Sequence, residues 1–152
     1  MTGTCDREDR IIQYLRGKFG HVSAERAISG GGLENLYEAI ATVDGLFIDP
    51  QSAVEITRRA LAHDCEIAYE ALCTFCAFLG CFAGNLALTF GAKGGVYIAG
   101  GISPRIPNFL AGSESRSRFE SKGRFRSYLE SIPSYVIVHP AAAFLGLQSL
   151  LD

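Results

Sequence analysis

Residues 71 to 92 run without a single charged side chain, and the rest of the chain has to be organised around that stretch. About 20 consecutive apolar residues suffice to cross a bilayer as a helix, so length alone admits a membrane span. The run's own residues point elsewhere. Thr74, Asn85 and Thr89 place polar groups along it, Gly80, Gly84 and Gly91 interrupt it, and no basic flank precedes it at Glu70. Gly80, Ala83, Gly84 and Ala87 are small, which lets another helix or a sheet approach closely. The expectation is a central helix over about residues 65 to 90, buried by its neighbours, in a chain that does not enter a membrane.

Such a helix needs amphipathic partners, and the sequence upstream supplies them. After Cys5 an acidic start, DRED, precedes Ile11, Ile12, Tyr14, Leu15 and Phe19, a helical apolar pattern that stops at Gly20. Ser23 stands as an N-cap before a short helical turn, AERAIS, which Gly30 to Gly32 break. A further helix then carries Leu33, Leu36, Tyr37 and Ile40 on one face and closes at Gly45. Asp49 and Pro50 make a turn, and Ser52 caps a helix through Val54, Ile56 and Leu61 with Arg58 and Arg59 near its C-terminal end.

Beyond the central helix the pattern changes. VYIA, framed by glycines, reads as a buried strand, and Ser103-Pro104 begins a helix. Two more amphipathic pieces follow within residues 105 to 130, then YVIVH reads as a second buried strand and AAAFLGLQSLL as a closing helix. Strand, helical crossover, strand and helix are the ingredients of a parallel α/β layer. Two strands buried on both faces call for neighbours that this chain does not contain. With 152 residues and 48% apolar content, and no internal repeat or linker, one compact unit is expected over residues 1–152.

Charge excludes one class of partner. Fourteen basic side chains against sixteen acidic ones give a formal net charge of −2, so no broad positive field is available for nucleic acid. The basic stretch over residues 116 to 126 is diluted by Glu114 and Glu120 and reads as a solvated helical surface. The five cysteines are an odd number and no secretory signal precedes them, which places reduced thiols in the cytoplasm. Cys73 and Cys76 share a helical face and Cys81 lies on another, a pattern of core packing more than of zinc ligation.

Two segments could carry chemistry. VYIAGGIS delivers Gly100 and Gly101 at the end of a strand, where a missing Cβ lets a flat base or a ribose approach the backbone. A tight turn would use the same residues. GHVSAERAISGGG gathers His21, Ser23, Glu25, Arg26 and Ser29, and an ionised Glu25 could accept hydrogen bonds from sugar hydroxyls or simply favour a helix dipole. His63 and His139 have no partner in the sequence. No Ser-His-Asp order, metal-binding histidine pair or close carboxylate pair stands out.

GHVSAERAISGGGLENLYEAI, FAGNLALTFGAKGGVYIAGGI, ESKGRFRSYLESIPSYVIVH and the terminal FLGL together resemble the C-terminal segment of bacterial-type ATP-dependent glucokinases. The resemblance covers the chain from the first helix onward and is carried most specifically by G-H-V-S-x-E-R followed by S-G-x-G-L. It implies an α/β fold: the helix-rich C-terminal part of an actin-like (ribonuclease H-like) large lobe with a small parallel sheet, the N-terminal domain being absent. It implies phosphorylation of the glucose 6-hydroxyl by ATP with Mg2+, giving glucose 6-phosphate and ADP. Glu25 matches the family's sugar-binding glutamate. Gly100 and Gly101 match the glycine pair of its adenosine motif, with Ser103 lining the same nucleotide site. Ser29, Gly30 and Gly32 match an S-G-x-G turn in which Gly31 replaces a proline.

The departures are equally informative. The family's D-x-G-G-T phosphate loop, its catalytic N-D pair and its sugar-binding E-G-G-H segment have no counterparts, so the resemblance assigns no catalytic residue and no metal ligand to this sequence. The sequence starts roughly where E-G-G-H would have ended, and alone it is expected to be inactive. The implied partners are glucose and ATP, without nucleic acid or membrane. An exposed sheet edge further implies association into a homodimer. A non-catalytic sugar- or nucleotide-sensing module of the same superfold is the alternative reading.

Overall fold

The structure, a computed structural model, describes residues 3–139 and 141–150. Helix α1 (Asp6–Phe19) carries Asp6, Glu8 and Asp9 in its first turn and Arg16 and Lys18 in its last, each sign at the end of the helix dipole that favours it. It buries Ile11, Ile12 and Leu15 and stops where expected, at Gly20, whose φ of +72° suits glycine and whose N–H donates to the Arg16 carbonyl.

The next turn differs from the expectation. Helix α2 (Glu25–Ile28) has Ala24 at its N-cap without a side-chain cap, so Ser23 does not serve that role. The glycines do not break the helix either: Gly30, Gly31 and Gly32 form the first turn of α3 (Gly30–Val43), and the break falls at Ser29. The Ser29 Oγ accepts from the Gly32 N–H at 2.9 Å and donates to the Glu25 carbonyl at 2.7 Å, joining the two helices. Glycine is needed at position 32 because a Cβ there would stand 2.6 to 2.9 Å from the Ala27 backbone. Losing the cap by Ser29→Ala should lower stability by about 1 kcal/mol. Thermal denaturation checks this: the midpoint falls by a few degrees, and an unchanged midpoint would show that the cap is dispensable.

Ser52 caps α4 (Ala53–Ala62) as expected, accepting from the Glu55 N–H at 3.3 Å, and His63 ends it in the left-handed region at φ +54°. Helix α5 (Glu66–Thr89) then runs through the centre. It is long and apolar enough to cross a membrane, yet Leu72, Phe75, Cys76 and Phe78 are buried in one core with Leu15, Leu36, Ile40 and Ile56, where α2, α3 and α4 pack on α5. Its second half packs on α7 (Ser115–Glu120) and α8 (Arg126–Glu130), where Ala83, Ala87, Phe119, Leu129 and Ile132 form a smaller core. Most of the charge-free run is therefore buried inside the fold, while Leu86 and Phe90 near its end are exposed.

Strands β1 (Val96–Ile98) and β2 (Ser134–Val136) pair in parallel with Val96 opposite Ser134 and Ile98 opposite Val136. A 3-10 turn at Ser103–Arg105, α6 (Pro107–Gly112), α7 and α8 make the crossover, and α9 (Ala142–Gln148) follows β2. The closing helix is shorter than the sequence suggests, and Leu151 lies outside the described residues. The helix-rich α/β layer with a small parallel sheet holds. Burial of the strands on both faces does not: alternation points Val96 and Ile98 inward, while Tyr97 and Tyr135, 64% and 46% exposed, stack at 5.0 Å on the outer face. Among the described residues, helices cover only one face of this two-stranded sheet. Val138, Phe144, Leu145 and Leu147 extend the exposed apolar surface.

The stretch over residues 116 to 126 also departs from a purely solvated surface. The Arg116 guanidinium donates to the carbonyls of Leu129, Glu130 and Ile132, closing the end of α8, and Arg118 bridges Glu114 on its own helix and buried Glu8 of α1. Two arginines of that stretch hold the molecule together.

Candidate functional site

Parallel strands leave their C-terminal ends on one side, and in open α/β sheets ligands gather there. β1 ends into Ala99, Gly100 and Gly101, while β2 ends into Ile137, Val138 and His139. The Ile137 N–H donates to the Ile98 carbonyl at 2.9 Å, which holds the two ends side by side. Between them lies an open cleft of about 510 Å³ walled by Gly100, Gly101, Arg105, Val138, His139 and Ala142. That volume suits a nucleoside-sized ligand.

The glycine pair is shaped for contact. Gly100 has φ +129°, a conformation that disfavours any side chain, and a Cβ built at either glycine would meet nothing within 4 Å. Bare backbone therefore faces open space, where a flat ring could lie against it. His139 enters the cleft wall with its Nδ1 accepting from the Ala141 N–H at 3.1 Å, and Arg105 adds a cation on the other side. Ser103 sits differently: it is buried at the head of the 3-10 turn, its carbonyl accepting from the Ile106 N–H, and it is not a wall of the cleft.

Glu25 lies apart, exposed at the first position of α2. Its carbonyl accepts from Ser29 Oγ, whereas its carboxylate has no ion pair among the described residues. The neighbouring Arg26 stacks on the Phe19 ring at 4.2 Å instead of pairing with it. A free carboxylate at the start of a short helix can accept hydrogen bonds from an incoming hydroxyl. No described cavity is lined by both Glu25 and the glycine pair.

Shifted titrations lie away from the cleft. Lys18 and Tyr14 hold Glu38 below the usual carboxylate range, and Arg7 does the same for Asp44, so these groups clamp α1 to α3. Burial pushes the Cys76 thiol up to about 12 and also raises Cys73, consistent with core packing of inert thiols. Among the described residues no group of three or more histidine, cysteine or acidic side chains could hold a metal ion. His21 is exposed beyond α1, and the His63 ring packs at a tilt against Tyr69 with ring centres 4.9 Å apart. The sequence reading missed His139 and Arg105 as cleft residues, because only the strand register brings them beside Gly100.

The family model described as Glucokinase matches residues 1–152. A glucokinase of Paramagnetospirillum magneticum is 49% identical over 154 residues, covering 99% of this chain and 47% of the relative. That of Cronobacter sakazakii is 51% identical over 141 residues, covering 93% of this chain and 44% of the relative. The crystal structure of a glucokinase from an Antarctic psychrotroph superposes with a TM-score of 0.92 at 34% identity, over 99% of this chain and 47% of that one. The chain thus spans somewhat less than half the length of these relatives.

Proposed function

The chain belongs to the glucokinase family, and on that premise we propose that the protein carrying it transfers a phosphoryl group from ATP to the 6-hydroxyl of glucose. The observation that supports this most directly is the family match over all 152 residues, together with a free carboxylate and a glycine-walled cleft at the motif positions. In this reading Gly100 and Gly101 receive the adenosine, Ser103 supports the turn from beneath, and Glu25 accepts hydrogen bonds from sugar hydroxyls.

Binding and orientation are the share of the work assigned to this chain. Phosphoryl transfer depends chiefly on positioning and on electrostatic stabilisation of the transferring group. The group that takes the hydroxyl proton and the loop that cradles the phosphates are not among the motifs of this sequence. Mg2+, which the reaction implies, is ordinarily held by one or two carboxylates together with the substrate phosphates, and no residue of this chain is assigned to it. The chain by itself is accordingly inactive, and the exposed apolar face around Tyr97, Tyr135 and α9 is where another chain, including a second copy, would associate.

Hydrogen bonds to a charged group contribute about 1.5 to 3 kcal/mol, so Glu25→Gln in the complete enzyme should raise the glucose KM roughly tenfold or more. The KM for ATP should stay within about twofold, since weakening the hold on the sugar equally in the ground and transition states leaves the nucleotide untouched. Steady-state kinetics in both substrates provide the check. An unchanged glucose KM would remove Glu25 from the sugar site.

A further inference from the structure

Lys122 ends on a sulfur atom. Its half-buried side chain reaches from the segment after α7 to α5, where Nζ stands 3.1 Å from Cys81 Sγ. Among the described residues it forms no ion pair with a carboxylate, although an ammonium ordinarily seeks one or remains in water, and a thiol is only a weak acceptor. The approach is built into the helix. Gly84 lies one turn beyond Cys81, and a Cβ there would stand 3.0 Å from Lys122 Cε and 2.4 Å from the Phe119 carbonyl oxygen. The bare glycine leaves a channel in which the lysine stem lies, and the channel ends at the sulfur. Cys81 is a free, half-buried cysteine within reach of solvent, unlike Cys76 in the core.

We propose that Cys81 and Lys122 are the site of a reversible oxidative modification, in which peroxide joins them by a covalent Sγ–O–Nζ bridge that ties α5 to the segment after α7. One hydrogen peroxide oxidises the thiol to a sulfenic acid and leaves as water. A second oxidises the lysine nitrogen, after loss of a proton to solvent, to the hydroxylamine level and also leaves as water. Condensation of S–OH with HO–N expels a third water and forms the bridge. Sulfur and nitrogen each give up two electrons, and the two peroxides accept four. The lysine stem is flexible enough to close the remaining distance. Four thiols reduce the bridge back to cysteine and lysine, becoming two disulfides for the four electrons returned, and the bridging oxygen leaves as water.

The test treats the whole chain with a small excess of hydrogen peroxide and measures its mass without reductant. One oxygen gained and two hydrogens lost give an increase of about 14 Da, reversed by a thiol reductant. Trypsin no longer cleaves after Lys122, and residues 60–93 are recovered joined to residues 119–124. Lys122→Arg, which keeps the charge, abolishes the joined pair. Three results overturn the proposal: Cys81 oxidised while Lys122 is still cleaved, a joined pair lighter by about 2 Da through a direct sulfur–nitrogen bond, or Cys81 left unmodified.

Discussion

An Arg118→Met chain should be less stable by about 3 kcal/mol and should unfold at a midpoint roughly 10 °C lower. Arg118 reaches from α7 to α1 and donates to Glu8 Oε1 at 2.6 Å, a contact between residues 110 positions apart, while also donating to Glu114. The Glu8 side chain is only 8% exposed. Removing the arginine strands one carboxylate oxygen away from water, and an unpaired buried charge is penalised far more than an exposed pair is rewarded. The other oxygen keeps its bonds from the Thr4 N–H and hydroxyl, which holds the loss near the lower end of the range. Calorimetry of Arg118→Met, Glu8→Leu and the double variant gives the decisive comparison. The double variant should recover part of the loss; additive losses would mean the two residues do not act as a pair.

Gly80→Ala should also destabilise, against the usual direction for a glycine inside a helix. Alanine gains about 1 kcal/mol in helix propensity. Here the new Cβ would stand 2.0 Å from the Ser115 carbonyl oxygen and 2.7 to 2.8 Å from its carbonyl carbon and Cα. All three are backbone atoms, so no side chain can swing away, and α5 and α7 must separate. Overpacking of this kind costs about 3 kcal/mol, leaving a net loss near 2 kcal/mol and a midpoint about 6 °C lower. Gly31→Ala is the matched control, because nothing lies within 4 Å of its Cβ. A Gly80→Ala chain as stable as the parent would show that the two helices are not packed this closely.

Much of this architecture was legible before the fold was known. The charge-free run declared α5, Gly20 marked the end of α1, and Ser52 marked the start of α4, because each is a local signal with a local cause. Gly30 to Gly32 misled because tertiary context overrode propensity: the Ser29 cap and the approach of Ala27 to Gly32 make a helical turn from residues that usually end one. The arginines at 116 and 118 looked like surface charge because their partners are distant in the chain. β-Branched and aromatic residues announced the strands but not that Tyr97 and Tyr135 would face outward.

The candidate site divides in the same way. Gly100 and Gly101 were visible as a turn after a strand, and the structure adds an open cleft and a positive φ to that reading. Their assignment to a nucleotide, and that of Glu25 to a sugar, came from motif resemblance, since spacing alone allowed a plain turn and a helix-dipole acid. His139 had no partner in the sequence and acquired a setting only when the register of β1 and β2 brought both strand ends together.

In the proposed function this chain supplies binding surfaces for a glucose kinase whose chemistry is carried elsewhere. Glucose-dependent release of ADP from ATP tests it most directly, measured for the chain alone, for a segment supplying the family's phosphate loop and catalytic aspartate, and for the two co-expressed as a complex. Turnover by the complex only, weakened by Glu25→Gln, is the predicted result. Turnover by the chain alone, or none from a complex that purifies intact, would overturn that division of labour.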